Sequence, residues 1–181
     1  MKEFVLKADV CRVFSEIFSY PEDPESLRDI MYEVANHYPP VGSLIPLMEN
    51  LQEDYMPFMK GQIPMSEGAY ASYHPADVVA FYRAFGLKHK PGDNPDSLPY
   101  MLQFLSILCL KIALAPDGDA RDVALDAYRA FLKDHVGYWI DKFVQRVKER
   151  GASAFYSEAA DRLADFIKKE VGNVDTAHST A

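Results

Sequence analysis

The sequence predicts an all-α fold, a two-lobed helical bundle of about eight to ten helices around a central buried helix near residues 98–115. Three observations predict it. Apolar residues recur at helical spacing along almost the whole chain. No stretch of any length alternates apolar and polar residues as a half-buried strand does. Prolines and glycines fall between the periodic segments, where helices stop and start.

The first helix is expected over about 2–19, with Val10, Cys11, Phe14, Ile17 and Phe18 on one stripe; Tyr20-Pro21 ends it, because a residue before proline disfavours the helical conformation. Pro24 and Glu25 open a second helix that runs to about Asn36. After the break at Pro39-Pro40, a third is expected from Gly42 or Ser43 to Met59, distorted near its end by Pro57. Residues 60–74 read as a loop, and Pro75 starts a helix that Gly86 stops. A second loop, 87–97, precedes the stretch from Leu98 to Ala115, which is apolar on nearly every side and belongs in the middle of the core. Pro116-Asp117-Gly118 breaks it, and Asp119 is the expected cap of the next helix. The last helices are expected at 120–135, 138–149 and 153–171, and 172–181 as a disordered tail.

A chain of 181 residues, 49% hydrophobic and 25% charged, buries a sizeable core within one domain, here 1–171. Its net charge of −8 repels phosphate backbones, and the densest basic stretch, Lys142 to Arg150, is interrupted by Glu149, so no nucleic acid is expected. The same charge either attracts a basic peptide or simply maintains solubility. Cys11 and Cys109 sit in apolar stretches and read as buried free thiols of a reducing compartment. The N-terminus interrupts its apolar pattern with Glu3, Lys7, Asp9 and Arg12, unlike a signal peptide. The stretch 98–115 contains Gln103, Ser106 and Lys111 and is too short and polar for a membrane span. A cytoplasmic protein without membrane insertion is expected.

Catalytic and metal motifs are missing. The five histidines (37, 74, 89, 135 and 178) show no i,i+4 pair, no phosphate loop or nucleophile motif occurs, and no cofactor or metal is expected. Asp93 and Asp96 flank the start of the most buried helix. Either they cap it or interact with its dipole, or they face a cleft and hold a cationic group. His135 and Trp139 are one turn apart and read as a packing pair.

Three blocks of residues then carry a resemblance. Tyr70-Ala71-Ser72 is followed by Phe81-Tyr82 and Gly86-Leu87; Pro95-Asp96-Ser97-Leu98-Pro99 is followed by Gln103-Phe104-Leu105; Phe131 and His135-Val136 are followed by Trp139 and Phe155-Tyr156. Together, over about 70–167, they resemble the TorD/DmsD/NarJ family of redox-enzyme maturation chaperones, and Pro99 is closest to its NarJ branch. Ser97 stands where the family usually has histidine, and Gln103 where it has glutamate.

The resemblance implies two lobes, about 1–86 and 97–171, joined by a hinge at 87–97, in a monomer or a lobe-swapped dimer. It also implies a partner: the N-terminal or twin-arginine leader segment of the catalytic subunit of a molybdenum oxidoreductase, held in the cytoplasm until cofactor insertion is complete. On this reading Asp93 and Asp96 meet the basic end of the client, with Ser97 and Gln103 at family contact positions. Tyr70, Tyr82 and Tyr100 line its apolar groove, with Phe104 either beside them or in the core. The rival readings are a small helical nucleotide-binding protein and a structural subunit of an oxidoreductase complex.

Overall fold

A computed structural model describes residues 2–71, 75–88, 92 and 94–178, with the side chains of 75 and 174–178 left aside. Among the described residues the regular structure is entirely helical. Helix α1 (Lys2–Ile17) buries Val10, Cys11, Val13, Phe14 and Ile17. Helix α2 (Pro24–Ala35) is capped by Asp23, whose carboxylate accepts from the amides of Glu25 and Ser26 at 3.1 Å each.

The long third helix expected up to Met59 is not formed. The chain makes short turns instead: α3 (Pro39–Gly42), a 3₁₀ turn at Ile45–Leu47, α4 (Leu51–Asp54) and α5 (Met56–Met59). Pro46 and Pro57 each lack an amide donor and crowd the preceding turn, so both sit at turn starts and the apolar face is delivered in pieces. Leu51, Tyr55 and Phe58 still reach the core.

Helix α6 (Pro75–Ala84) ends at Gly86, whose φ of 81° is the left-handed conformation that favours glycine. Helix α7 (Leu98–Ala113) buries ten of its 16 residues, as its all-round hydrophobicity predicts. It runs antiparallel along α1, which it contacts more extensively than any other helix. Two hydroxyls stitch the pair, Ser106 donating to the Ala8 carbonyl and Ser15 to the Pro99 carbonyl, both at 2.9 Å.

Helix α8 (Gly118–Phe131) is capped by Asp117 rather than Asp119; its carboxylate accepts from the Ala120 amide at 2.8 Å. A π-helical turn, Leu132–Gly137, leads into α9 (Ile140–Glu149). Helix α10 (Ala154–His178) continues past Val171, so the expected tail is helical up to His178. The continuation is anchored at Glu170, which is 4% exposed. Lys7 lies 2.8 Å from its carboxylate and the Tyr128 hydroxyl donates to it at 2.9 Å, tying α1, α8 and α10 together.

One core cluster takes side chains from α1 through α10 on both sides of the 87–97 segment. Its centre is aromatic. Phe104 meets Phe131, Tyr82, Phe85 and Phe81 with ring centroids 4.7–6.5 Å apart, all edge-on. Cys11 and Cys109 are buried free thiols, as expected.

Candidate functional site

The segment after α5 returns to the start of α7. Leu98 donates its amide to the Met65 carbonyl at 2.7 Å, and Ser66 and Ser97 form an isolated antiparallel bridge. This pairing brings the turn at Glu67–Ala69 against Asp96. The Glu67 amide donates to the Asp96 carbonyl at 3.1 Å, and the Gly68 amide to the Asp96 carboxylate at 2.9 Å. Asp96, 5% exposed, therefore caps this turn rather than α7, whose own cap residue Ser97 makes no side-chain bond to the helix.

On the other side of the turn lies a buried carboxylate. Glu67 is 2% exposed. The Tyr138 hydroxyl donates to one of its oxygens, and His135 Nδ1 lies 3.3 Å from the other. Opposite an ionised carboxylate, that ring nitrogen is the one that carries the proton. Burial raises the Glu67 carboxyl above the ordinary range, while the bond from Tyr138 and the charge and bond of His135 work against that rise. The Tyr138 phenol is pushed upward by burial and then by its bond to Glu67.

His135 reaches Glu67 from the π-helical turn. Its carbonyl also accepts from the Trp139 indole at 2.6 Å, so the expected packing pair is hydrogen-bonded as well. Tyr70 stacks on Trp139 at 5.3 Å with an 11° interplanar angle, and its hydroxyl donates to the Pro64 carbonyl at 2.6 Å. Burial pushes its phenol up to about 12.

The expected contact residues thus divide. Asp96, Ser97, Tyr82 and Tyr100 converge at the start of α7. Tyr82 is fully buried, donates to the Pro95 carbonyl at 2.6 Å, and has its ring 6.1 Å from that of Tyr100. Ser97 and Tyr100 are half-buried, and Gln103 is exposed one turn further along α7. Tyr70 lies across the Glu67 turn from them. Phe104 is fully buried. Asp93 lies outside the described residues, as do His74 and His89.

Neither Glu67 nor Tyr138 stands out in the sequence. A glutamate between serine and glycine in a polar loop looks solvated, and only its meeting with His135, 68 residues away, shows otherwise. Chemically the cluster ties three segments together with bonds made among its own members. Among the described residues, no group of three or more His, Cys, Asp or Glu side chains is placed to hold a metal ion. Among those residues, no helix is long and apolar enough to cross a membrane.

Comparison with curated proteins and with solved structures finds no match. The family model described as nitrate reductase delta subunit matches residues 49–145, just over half of the chain, and that stretch contains Glu67, Tyr70, Asp96, Gln103 and Tyr138. The chain therefore belongs to the nitrate reductase delta subunit family, a NarJ-like family of redox-enzyme maturation chaperones.

Proposed function

We propose that this protein is a cytoplasmic maturation chaperone. It binds the N-terminal or twin-arginine leader segment of the catalytic subunit of a molybdenum-containing oxidoreductase and holds that subunit until cofactor insertion and assembly are complete. It acts by binding, not by catalysis. The observation that carries this reading is membership of a chaperone family across the very stretch that builds the start of α7.

The client segment binds beside that start. Ser97, Tyr100 and Gln103 offer the accessible surface there, with the half-buried Tyr70 across the turn. Asp96 and Tyr82, being buried, shape the surface rather than touch the client. Tyrosine suits this task because it presents a large contact area with few rotors to freeze. Residues 87–97 serve as the hinge between the two halves.

Calorimetric titration tests the reading. The probes are synthetic N-terminal peptides of the molybdenum oxidoreductase catalytic subunits encoded in the same genome. Micromolar or tighter binding of one peptide, weakened by Tyr100→Ala/Gln103→Ala, is expected. Binding of no peptide by the folded protein would sink the reading.

A further inference from the structure

The exposed side of α7 does not end at Gln103. One turn on, it continues into an apolar groove between α7 and α8, with a volume of about 740 Å³. Ile107, Leu110 and Leu114 form one wall, Ala120 and Val123 the other, and Phe85 closes the end nearest α6. This volume is in the range of sites that take a bound ligand, roughly 300–1,000 Å³. The apolar lining is open to water: Leu114 is 72% exposed, Val123 63% and Leu110 38%. Three such side chains around one groove form a contiguous patch, unlike a single exposed leucine.

The edge of the groove is acidic. Asp119 lines it, and Asp122 and Asp126 follow at helical spacing along the solvent side of α8, with Arg129 paired to Asp126 at 3.6 Å and Asp119 and Asp122 nearest the groove end of that row. Arg121, two residues after Asp119, falls on the far face of the helix. Lys111 is the cation among the lining residues. From Ile107 to Leu114 the wall is two helical turns long, roughly 10 Å.

We infer that this groove seats an amphipathic helix of the client segment. The helix is apolar toward α7 and carries lysine or arginine where it passes the α8 edge. This rests on the chaperone reading above and adds where the apolar part of the segment goes. Two observations choose this occupant. The groove is continuous with the Tyr100–Gln103 surface along one face of α7. Its carboxylate edge complements a basic partner, and the net charge of −8 favours the encounter. A second copy of this chain would bring the same acidic edge and the same net charge to the contact.

The test compares two variants of the full chain with wild type, against the same catalytic-subunit peptides of about 30 residues, long enough to include a whole leader. Leu114→Glu/Val123→Glu changes exposed positions and leaves the fold intact, as circular dichroism would check. It is expected to weaken peptide binding about tenfold or more. Asp119→Lys/Asp122→Lys is expected to weaken it less and to flatten its salt dependence. If wild type binds a peptide and both variants bind it equally well, the groove is not the seat, while the chaperone reading stands. If wild type binds no peptide, both fall. Concentration-dependent self-association that disappears in Leu114→Glu/Val123→Glu would assign the groove to a second copy and overturn the inference.

Discussion

Replacing Glu67 by alanine removes the carboxylate that joins the turn before α6, the π-helical turn and the start of α9. The two partners respond differently. Tyr138 is 44% exposed and can turn its hydroxyl to water, so its lost bond contributes only about 1 kcal/mol. His135 is 9% exposed, and its Nδ1 proton is left in a buried site without an acceptor, which costs about 1–3 kcal/mol. Together the change destabilises the protein by about 2–4 kcal/mol. Glu67→Gln preserves the volume and one acceptor and is expected to cost about 1 kcal/mol.

The pH dependence separates the two roles of the carboxyl. Burial holds Glu67 above its ordinary 4.5, so the unfolded chain releases this proton at lower pH than the folded one does. Between the two values the folded state binds more protons, and the stability contributed by the group falls as pH rises through that window. Lowering the pH from neutral therefore restores a contribution to wild type that Glu67→Gln lacks, and the deficit of the variant grows. Urea denaturation at a series of pH values reads both effects, provided the slope m is unchanged. A Glu67→Ala midpoint within about 0.5 kcal/mol of wild type, the range of an ordinary surface change, would refute the argument. So would parallel pH profiles for wild type and Glu67→Gln.

Other outcomes follow from single positions. Phe104→Ala empties the centre of the aromatic core and should destabilise by about 3–5 kcal/mol in equilibrium unfolding. In Gly137→Ala the added methyl would stand 2.9 Å from Val171 Cγ2 and 3.1 Å from the Leu132 carbonyl; forcing it in should cost about 1–3 kcal/mol and lower the thermal midpoint. Tyr55 and Tyr70 are each held up to about 12 by burial, so the unfolded chain ionises them first. Stability should fall as pH rises from 10 and level off above about 12, and Tyr55→Phe/Tyr70→Phe should flatten that fall in alkaline denaturation.

What was legible in the sequence follows from how local each cause is. The central helix could be read because a long apolar stretch has one place to go, and α7 lies there against α1. Helices α1 and α6 end two to three residues before Tyr20-Pro21 and Gly86, and these breakers act through the backbone without any tertiary contact. The region 43–59 misled because its apolar residues keep helical spacing while Pro46 and Pro57 cut the backbone into turns. Asp117 and Asp119 are equally good caps on paper; the fold selects the residue whose backbone is extended, with φ −149° and ψ 177°. The last helix passes Gly172 because Glu170 is anchored from α1 and α8, and neither helix is near it in sequence. Asp96 illustrates the harder case. Its position before α7 suggested a helix cap or a client contact, but its carboxylate bonds to a turn 28 residues earlier. The groove between α7 and α8 was invisible for the same reason, since its walls become neighbours only after the break at Pro116 turns the chain back.

A chaperone differs from a permanent subunit in when it leaves. The most direct measurement is therefore the molar ratio of this protein to the molybdenum oxidoreductase catalytic subunit in two purified pools from the same cells, one without bound molybdenum and one mature. The protein is expected to accompany the metal-free subunit and to be lost from the mature enzyme. Equal stoichiometry in both pools would contradict this and make the protein a structural component of the complex.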